Sequence, residues 1–463
     1  STRQQRHTAI AEALEARFPD QVSSQPELVA HHYTRAGLAA RALPFWLRAG
    51  EHAVAQFANQ EAISHLEQGL GLLTQTPNTE DRARNEIALR LALGPALIIV
   101  HEYVGPEIEA NFKALRVASE RVADSSGLAA AFLGLHRMLI VSGELIEGHE
   151  LDLENLRLAE SLGDDRLLTT ARWALGASHL WLGHFVTARD LSRAAFRELT
   201  FEDDQSFIAS HLEAPGVTCR CFNAYANLLL GYPEKAQELM SDAVGLAERH
   251  EHPFVIAFAH FFDGVAHWLR GEASSTLRAA DAVSALCAEH EMPIFPPMAQ
   301  ILRAWSLVRQ QSEAAMVELE RARDAIGVLI PIWQPMVQPM VIDCELVVGS
   351  VPEAIDALDR MLAWADKKEH GHSEAELKRM RGELALAAPG GSALDAERWF
   401  DGALKVARGQ QAKWYELRAA TSLARLWQSQ GKAAEARDVL APVYAWFTEG
   451  FDTPDLLEAK ALL

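Results

Sequence analysis

Cysteine is scarce in this 463-residue chain, with Cys219, Cys221, Cys287 and Cys344 the whole complement. Four thiols with no CxxC pair make neither a disulfide framework nor a zinc knuckle, and they imply a reducing compartment. Basic runs are missing too. Lysine and arginine total 43 against 63 acidic residues, a net charge of −20 with histidine neutral, and nowhere do five cations stand together. Such a balance repels a phosphate backbone, which sets nucleic acid aside as a partner. No apolar stretch approaches the roughly 18 residues that a membrane span needs, and no apolar segment follows the opening residues as a signal peptide would require. A cytoplasmic location and no membrane partner are therefore expected. Strand-like alternation is nearly absent, so sheets are excluded as the main framework.

What the chain does have is apolar content, 49% of residues, enough to bury a long core. That content recurs with a period. Turn residues fall at Gly143, Gly183, Gly231, Gly271, Gln311, Gly349, Gly391 and Gly431, close to 40 residues apart except for a step of 48 before Gly231. Five residues after most turns stands a small residue: Ala42 after Gly37, then Gly148, Ala188, Ala236, Ala354, Ala396 and Ala436. A small side chain there lets two helices approach closely. Thr276 and Met316 break this rule, and their units are expected to pack more loosely. Gly231 followed by Pro233 suits a left-handed helix end and a new first turn, and Ser350 with Glu353 reads as a capping box. Thr453, Pro454 and Asp455 open a last helix.

The pattern predicts about 20 helices, the first four near 4–17, 26–36, 39–57 and 59–74. Two segments interrupt it. Residues 200–213, with Glu202, Asp203 and Asp204, read as a long solvated connection, and Pro331, Pro335 and Pro339 break or kink any helix over 327–342.

Two units match the tetratricopeptide pattern best: Ala171, Arg172, Trp173, Ala174, Leu175 and Gly176 with Leu182, Gly183 and Ala188, and Leu423, Ala424, Trp427, Gly431, Ala436 and Leu440. The chain thus resembles a tetratricopeptide array. This resemblance implies an all-α fold, a right-handed superhelical solenoid of helix pairs, with residues 39–452 as the array, 1–38 as a helical lead-in and 453–463 as a capping helix. Its ends are more particular. Ile10 through Pro26–Tyr33 to Trp46–Gly50, and Trp414, Glu416–Leu423 and Trp446–Thr453, resemble the C-terminal region of bacterial proteins joining a class III nucleotide cyclase, a AAA or STAND-type ATPase and a tetratricopeptide tail. That likeness implies a regulatory tail controlling an attached ATPase and cyclase. The chain itself carries no GxxxxGK[ST] loop and no cyclase carboxylate pair to which those activities could be assigned.

Counting back from each turn by the repeat's register sends Arg137, Trp173, Trp181, Tyr225, Phe261, Trp305, Asp343 and Arg425 to the concave surface, where peptides or small ligands dock in such arrays. Packing between neighbouring pairs is the competing role for the aromatics among them. His260, Asp263 and His267 share one helix face and have the donors for a metal, yet the register sends them inside the pair, where an Asp263–Arg303 ion pair is the expected alternative. Cys219 and Cys221, following His211, point to different sides of a helix. His31 and His32 have no nucleophile beside them to serve as a base. No cofactor or metal is implied, and no catalytic constellation assembles. Function is thus expected to be non-catalytic: a sensor or scaffold binding a protein, a peptide, a small ligand or the parent's own ATPase and cyclase domains. Docking falls either on the concave surface or at the Pro-rich break. The alternative is the effector-sensing domain of a LuxR-type ATP-dependent transcription activator.

Overall fold

A computed structural model describes residues 2–56, 58–101, 105–211 and 213–463, leaving aside the side chains of 209–211. Among the described residues there is no strand, and 25 α-helices follow one another. The first eight are α1 (Thr2–Arg17), α2 (Pro19–Ser24), α3 (Pro26–Ala36), α4 (Ala39–Ala55), α5 (Asn59–Leu72), α6 (Glu80–His101), α7 (Pro106–Val122) and α8 (Ser125–Val141). Next come α9 (Leu145–Leu162), α10 (Asp165–Trp181), α11 (Phe185–Glu198), α12 (Phe201–His211), α13 (Pro215–Leu229), α14 (Pro233–His250), α15 (Pro253–Leu269) and α16 (Ala273–His290). The last are α17 (Pro296–Arg309), α18 (Ala315–Gly327), α19 (Gln334–Val348), α20 (Val351–Lys367), α21 (Glu374–Ala387), α22 (Ala393–Gly409), α23 (Lys413–Ser429), α24 (Ala433–Tyr444) and α25 (Pro454–Leu462). None is long and apolar enough to cross a membrane.

The helix pairs form as the spacing requires. Ala188, Ala236, Ala354, Ala396 and Ala436 are all at most 1% exposed, so the small residue after each turn does sit where two helices meet. The turns are left-handed at Gly143, Gly183, Gly231, Gly271, Gly349 and Gly431, while Gln311 takes the same conformation at φ 54° where its neighbours have glycine. In the unit after α21 the left-handed residue is Gly390, one position before the one expected. Thr276 is wholly buried and its hydroxyl donates to Glu272 O at 3.1 Å, so its unit packs no more loosely than the others. Ser350 heads α20 without capping it, whereas Ser392 does cap α22, accepting from Asp395 N at 3.1 Å.

The connection expected at 200–213 is largely helix α12. Thr200 and Asp203 cap it reciprocally, Asp203 N donating to Thr200 Oγ1 at 3.1 Å and Thr200 N to Asp203 Oδ2 at 3.0 Å. Its acidic first turn complements the helix dipole. Nor is the acidic triplet wholly solvated: Asp204 is 1% exposed, accepting from Gly216 N at 2.7 Å and standing 3.1 Å from His250 Nε2. The Pro-rich break is a short 3₁₀ turn, Pro331–Trp333, leading straight into α19, which tolerates Pro339 inside it.

The helices group into two compact units. One takes the described residues of Ser1–Val141, Leu151–Ala171 and Ala209–Leu212, and the other those of Ser142–Glu150, Arg172–Ile208 and Glu213–Leu463. In the first, Leu128, Phe132, Ala159, Leu167 and Ala171 form one apolar cluster. A Cβ at Gly134 would lie 2.4 Å from the Phe112 ring, so glycine is what lets those two helices touch.

The second unit folds back so that its early turns are sealed by its late helices. Lys368 Nζ meets Glu144 at 2.5 Å beside the first turn. Gly371 N and His372 N both donate to Trp181 O at 3.1 Å. Gly231 and Tyr232 lie under Trp446, and Glu234 N and Lys235 N donate to the Glu449 carboxylate. Leu269 O accepts from Trp414 Nε1 at 3.2 Å and Arg418 Nη2 at 2.8 Å, while Pro454 packs on Gly271. Four consecutive turns are thus joined to segments far ahead in the chain.

Candidate functional site

Six helices of the second unit, α15 among them through Trp268, converge on a cleft of about 210 Å³. The first helices of successive pairs form its walls. Trp305 and Arg309 come from α17, Asp343 from α19, Glu376 and Arg379 from α21, and Arg418, Thr421, Ser422 and Arg425 from α23; α25 closes one side with Asp455 and Glu458. The spacing explains the convergence. Arg418, Thr421 and Arg425 stand at i, i+3 and i+7 on one face of α23, as do Glu376, Arg379 and Glu383 on α21.

Charge in the cleft is organised around Glu376, whose side chain is 2% exposed. Arg379 grips it with two bonds, Nη2 to Oε1 at 2.7 Å and Nε to Oε2 at 3.0 Å, and Arg418 Nη1 adds a third at 3.2 Å. Burial by itself would raise this carboxyl, but the two guanidiniums outweigh it and hold it at about 2. Burial likewise pulls Arg379 and Arg418 down and their carboxylate partners more than compensate, so both are raised. Arg418 also donates to Asp455 at 2.7 Å, and Arg379 and Arg425 both reach Glu383 at 3.3 Å. Ser422 donates to Glu383 at 2.5 Å, and Arg425 pairs with Glu458. Trp305 Nε1 donates to Asp343 at 2.7 Å.

Two groups stand outside this network. The Thr421 hydroxyl is buried in a residue only 4% exposed and has no hydrogen-bond partner among the described residues. Arg309, exposed at the rim, makes no ion pair among the described residues. An orphaned buried hydroxyl and a free guanidinium facing one cavity are the donors that a carboxylate-bearing ligand would satisfy. No nucleophile–base pair lies here, and Glu376, Arg379 and Arg418 are held far from the neutral range that proton transfer needs.

Of the eight residues that the register sends to a concave surface, Trp305, Asp343 and Arg425 meet in this cleft. The others do not. Trp181, Tyr225 and Phe261 are at most 2% exposed, packed with Trp333, Phe262 and His372 inside the second unit. Trp173, 4% exposed, packs edge-on against Phe207, and Arg137 is buried in the first unit. Trp181, Tyr225 and Phe261 present packing surfaces in this structure, because Trp333 and the 370–372 segment cover the face they line.

Arg303 pairs with Asp281 and approaches Glu318 at 3.8 Å, not Asp263. Asp263 faces His267 at 3.5 Å instead, and His267 Nδ1 meets Glu272 at 2.5 Å. Among the described residues no group of three or more His, Cys, Asp or Glu is placed to hold a metal. All four cysteines are free and buried, and burial raises every thiol. The His211 side chain lies outside the described residues.

Register alone did not single out Glu376, Arg379, Arg418 or Thr421. The available signal was charge at helix positions that face a neighbouring helix, Glu376 with Arg379 at i, i+3 and Arg418 one repeat later.

No family model matches the chain, and no curated protein matches it in sequence. Solved structures match it in fold. A Rap protein complexed with Competence and Sporulation Factor is 14% identical with a TM-score of 0.50, covering 85% of this chain and 99% of that one. The Rap conjugation gene regulator of plasmid pLS20 with the Phr* peptide is 12% identical, TM-score 0.48, over 80% and 96%. The APC/C hetero-tetramer Cut9–Hcn1 is 12% identical, TM-score 0.43, over 99% and 93%. At such identities the first likeness establishes fold alone and the other two add no argument: the chain is an all-α, tetratricopeptide-like helical-repeat protein.

Proposed function

We propose that this chain is a non-catalytic sensor and regulatory scaffold whose charged cleft takes a carboxylate, either of a small ligand or of a peptide or protein partner. The observation that carries this reading is the orphaned Thr421 hydroxyl and the free Arg309 in one cleft whose other charges, apart from Asp343 on the Trp305 indole, are already ion-paired. The Rap structure of similar fold is a complex with Competence and Sporulation Factor, which agrees with a binding role. Occupancy would act by preferring one arrangement of the protein over another, since a ligand shifts an equilibrium only by its affinity difference between states. In a cytoplasmic parent of the kind the end segments resemble, that shift would be passed to an attached ATPase and nucleotide cyclase.

Calorimetric titration with glutarate and with short peptides ending in a free carboxylate tests the cleft. Binding should fall at least tenfold in Arg309→Ala and in Thr421→Val, both folded by circular dichroism. Equal binding by wild type and both variants, or none at millimolar ligand, overturns the assignment. For the parent, ATPase and cyclase rates that are unchanged on deletion of residues 26–463 would remove the regulatory role.

A further inference from the structure

Between α20 and α21, residues 368–373 run as a strap across the aromatic face of the second unit. The strap is fastened by Gly371 N and His372 N on Trp181 O, by Gln410 Nε2 donating to Gly371 O at 2.7 Å, and by the Lys368–Glu144 pair. Leu182 O leaves no room for a Cβ at Gly371, so the strap lies directly on the turn after α10. Beneath it His372 packs on Trp181 and Tyr225, and His370 on Trp181 and Trp364.

Its polar groups are poorly satisfied. His372 Nε2, Ser373 Oγ and Gln410 Oε1 are buried with no hydrogen-bond partner among the described residues, a cost that opening to water would relieve. The bond that the imidazoles share, 3.3 Å between their Nδ1 atoms, needs one ring unprotonated. No carboxylate pairs with either ring among the described residues. Of the groups facing them, Tyr225 is held neutral by burial, and the Ile332 backbone favours a charge on His370 less than burial opposes it. His179 and His184 flank the turn under the strap and meet each other at 3.0 Å. Once the strap is lifted, the two rings meet water and take protons near 6.5, so each step below that pH favours the open form.

We propose that residues 368–373 are an acid-released strap, which lifts in mildly acidic solution ahead of global unfolding and uncovers Trp181 and Tyr225. The release reaches α21 as well. Glu374 N donates to Gly371 O and Leu377 N to Ser373 O, so the strap's backbone carries the first turn of the helix that bears Glu376. Lifting the strap does not require a ligand in the cleft.

Hydrogen–deuterium exchange with mass spectrometry on the full chain, corrected for the intrinsic rate at each pH, tests it. Between pH 6.5 and 5, protection of the strap amides should fall about tenfold for each histidine, hence about a hundredfold, while amides in α17 and α23 keep theirs. His370→Gln and His372→Gln, checked for folding by circular dichroism, should each reduce the fall to about tenfold, and His179→Gln should leave it unchanged. Constant strap protection across this range overturns the proposal. So does loss of protection in step throughout the second unit, which would mean that the rings titrate only on global unfolding, or a full hundredfold fall in both strap variants.

Discussion

Glu376 shows what one residue can hold together. Three hydrogen bonds from two guanidiniums converge on a carboxylate with almost no solvent contact. Removing one member of a buried ionic cluster leaves the others charged and unpaired, which typically costs 3–5 kcal/mol. Glu376→Gln, which keeps the shape and loses the charge, should therefore lower stability by about 3 kcal/mol, read as a fall in urea midpoint at unchanged slope. A loss below about 1 kcal/mol would mean that water already screens the pair. The sequence made Trp305, Asp343 and Arg425 visible as one site because each follows from its distance to a turn. Tyr225 obeys the same count and Trp181 and Phe261 come from other positions of the same register, yet residues 370–372 and Trp333, more than 70 positions ahead, cover them. Register says which way a side chain points and is silent on what lies in front of it.

Among the elements, the connection between α20 and α21 has the most to lose. His370 and His372 stand on it, 2% and 0% exposed, their Nδ1 atoms 3.3 Å apart and their rings against Trp181, Trp364 and Tyr225. One ring donates and the other must be neutral to accept, and burial drives His370 down to about 3 and His372 well below its usual value. The unfolded chain takes up these protons near 6.5 and the folded chain does not, so stability falls as pH drops below 6.5 towards 3. Glu376 works in the lower part of that window, its contribution present above about 4.5 and lost as pH falls through about 2. A decline between pH 6.5 and 5 thus includes these two histidines, together with His179, which burial and the neighbouring His149 and His184 lower to about 4. Thermal melts of His372→Leu should show a shallower slope in this window; an unchanged slope would place the titrating groups elsewhere. The segment itself was not legible as a seam. Nor was α12, because Thr200 and Asp203 form a cap with only modest apolar content behind it, and an acidic run reads more readily as loop.

For the molecule as a whole, the 40-residue period made the helix pairs legible, and the turns fall within a residue of their expected positions. Fold-back of the second unit was not legible. Its bonds join residues such as Glu234 and Glu449, 215 positions apart by chain, and no periodicity encodes a contact between repeats that are not neighbours. An open array would be stabilised pair by pair and would melt in parts. A sealed one has its early and late pairs tied, so the second unit should unfold as a single cooperative step. Trp414→Ala, which removes the bond to Leu269 O, should broaden or split that transition in hydrogen-exchange and denaturant experiments, whereas a single sharp step in the variant would mean the seam contributes little.

The seam also sets a schedule for synthesis. Glu144 leaves the ribosome 224 residues before its partner Lys368. At 5–20 residues per second, that interval is roughly ten to forty-five seconds. Until residues 370–372 emerge, Trp181 and Tyr225 lack the cover of His372, and a nascent chain held at that stage shows chaperones an aromatic face that the finished protein buries.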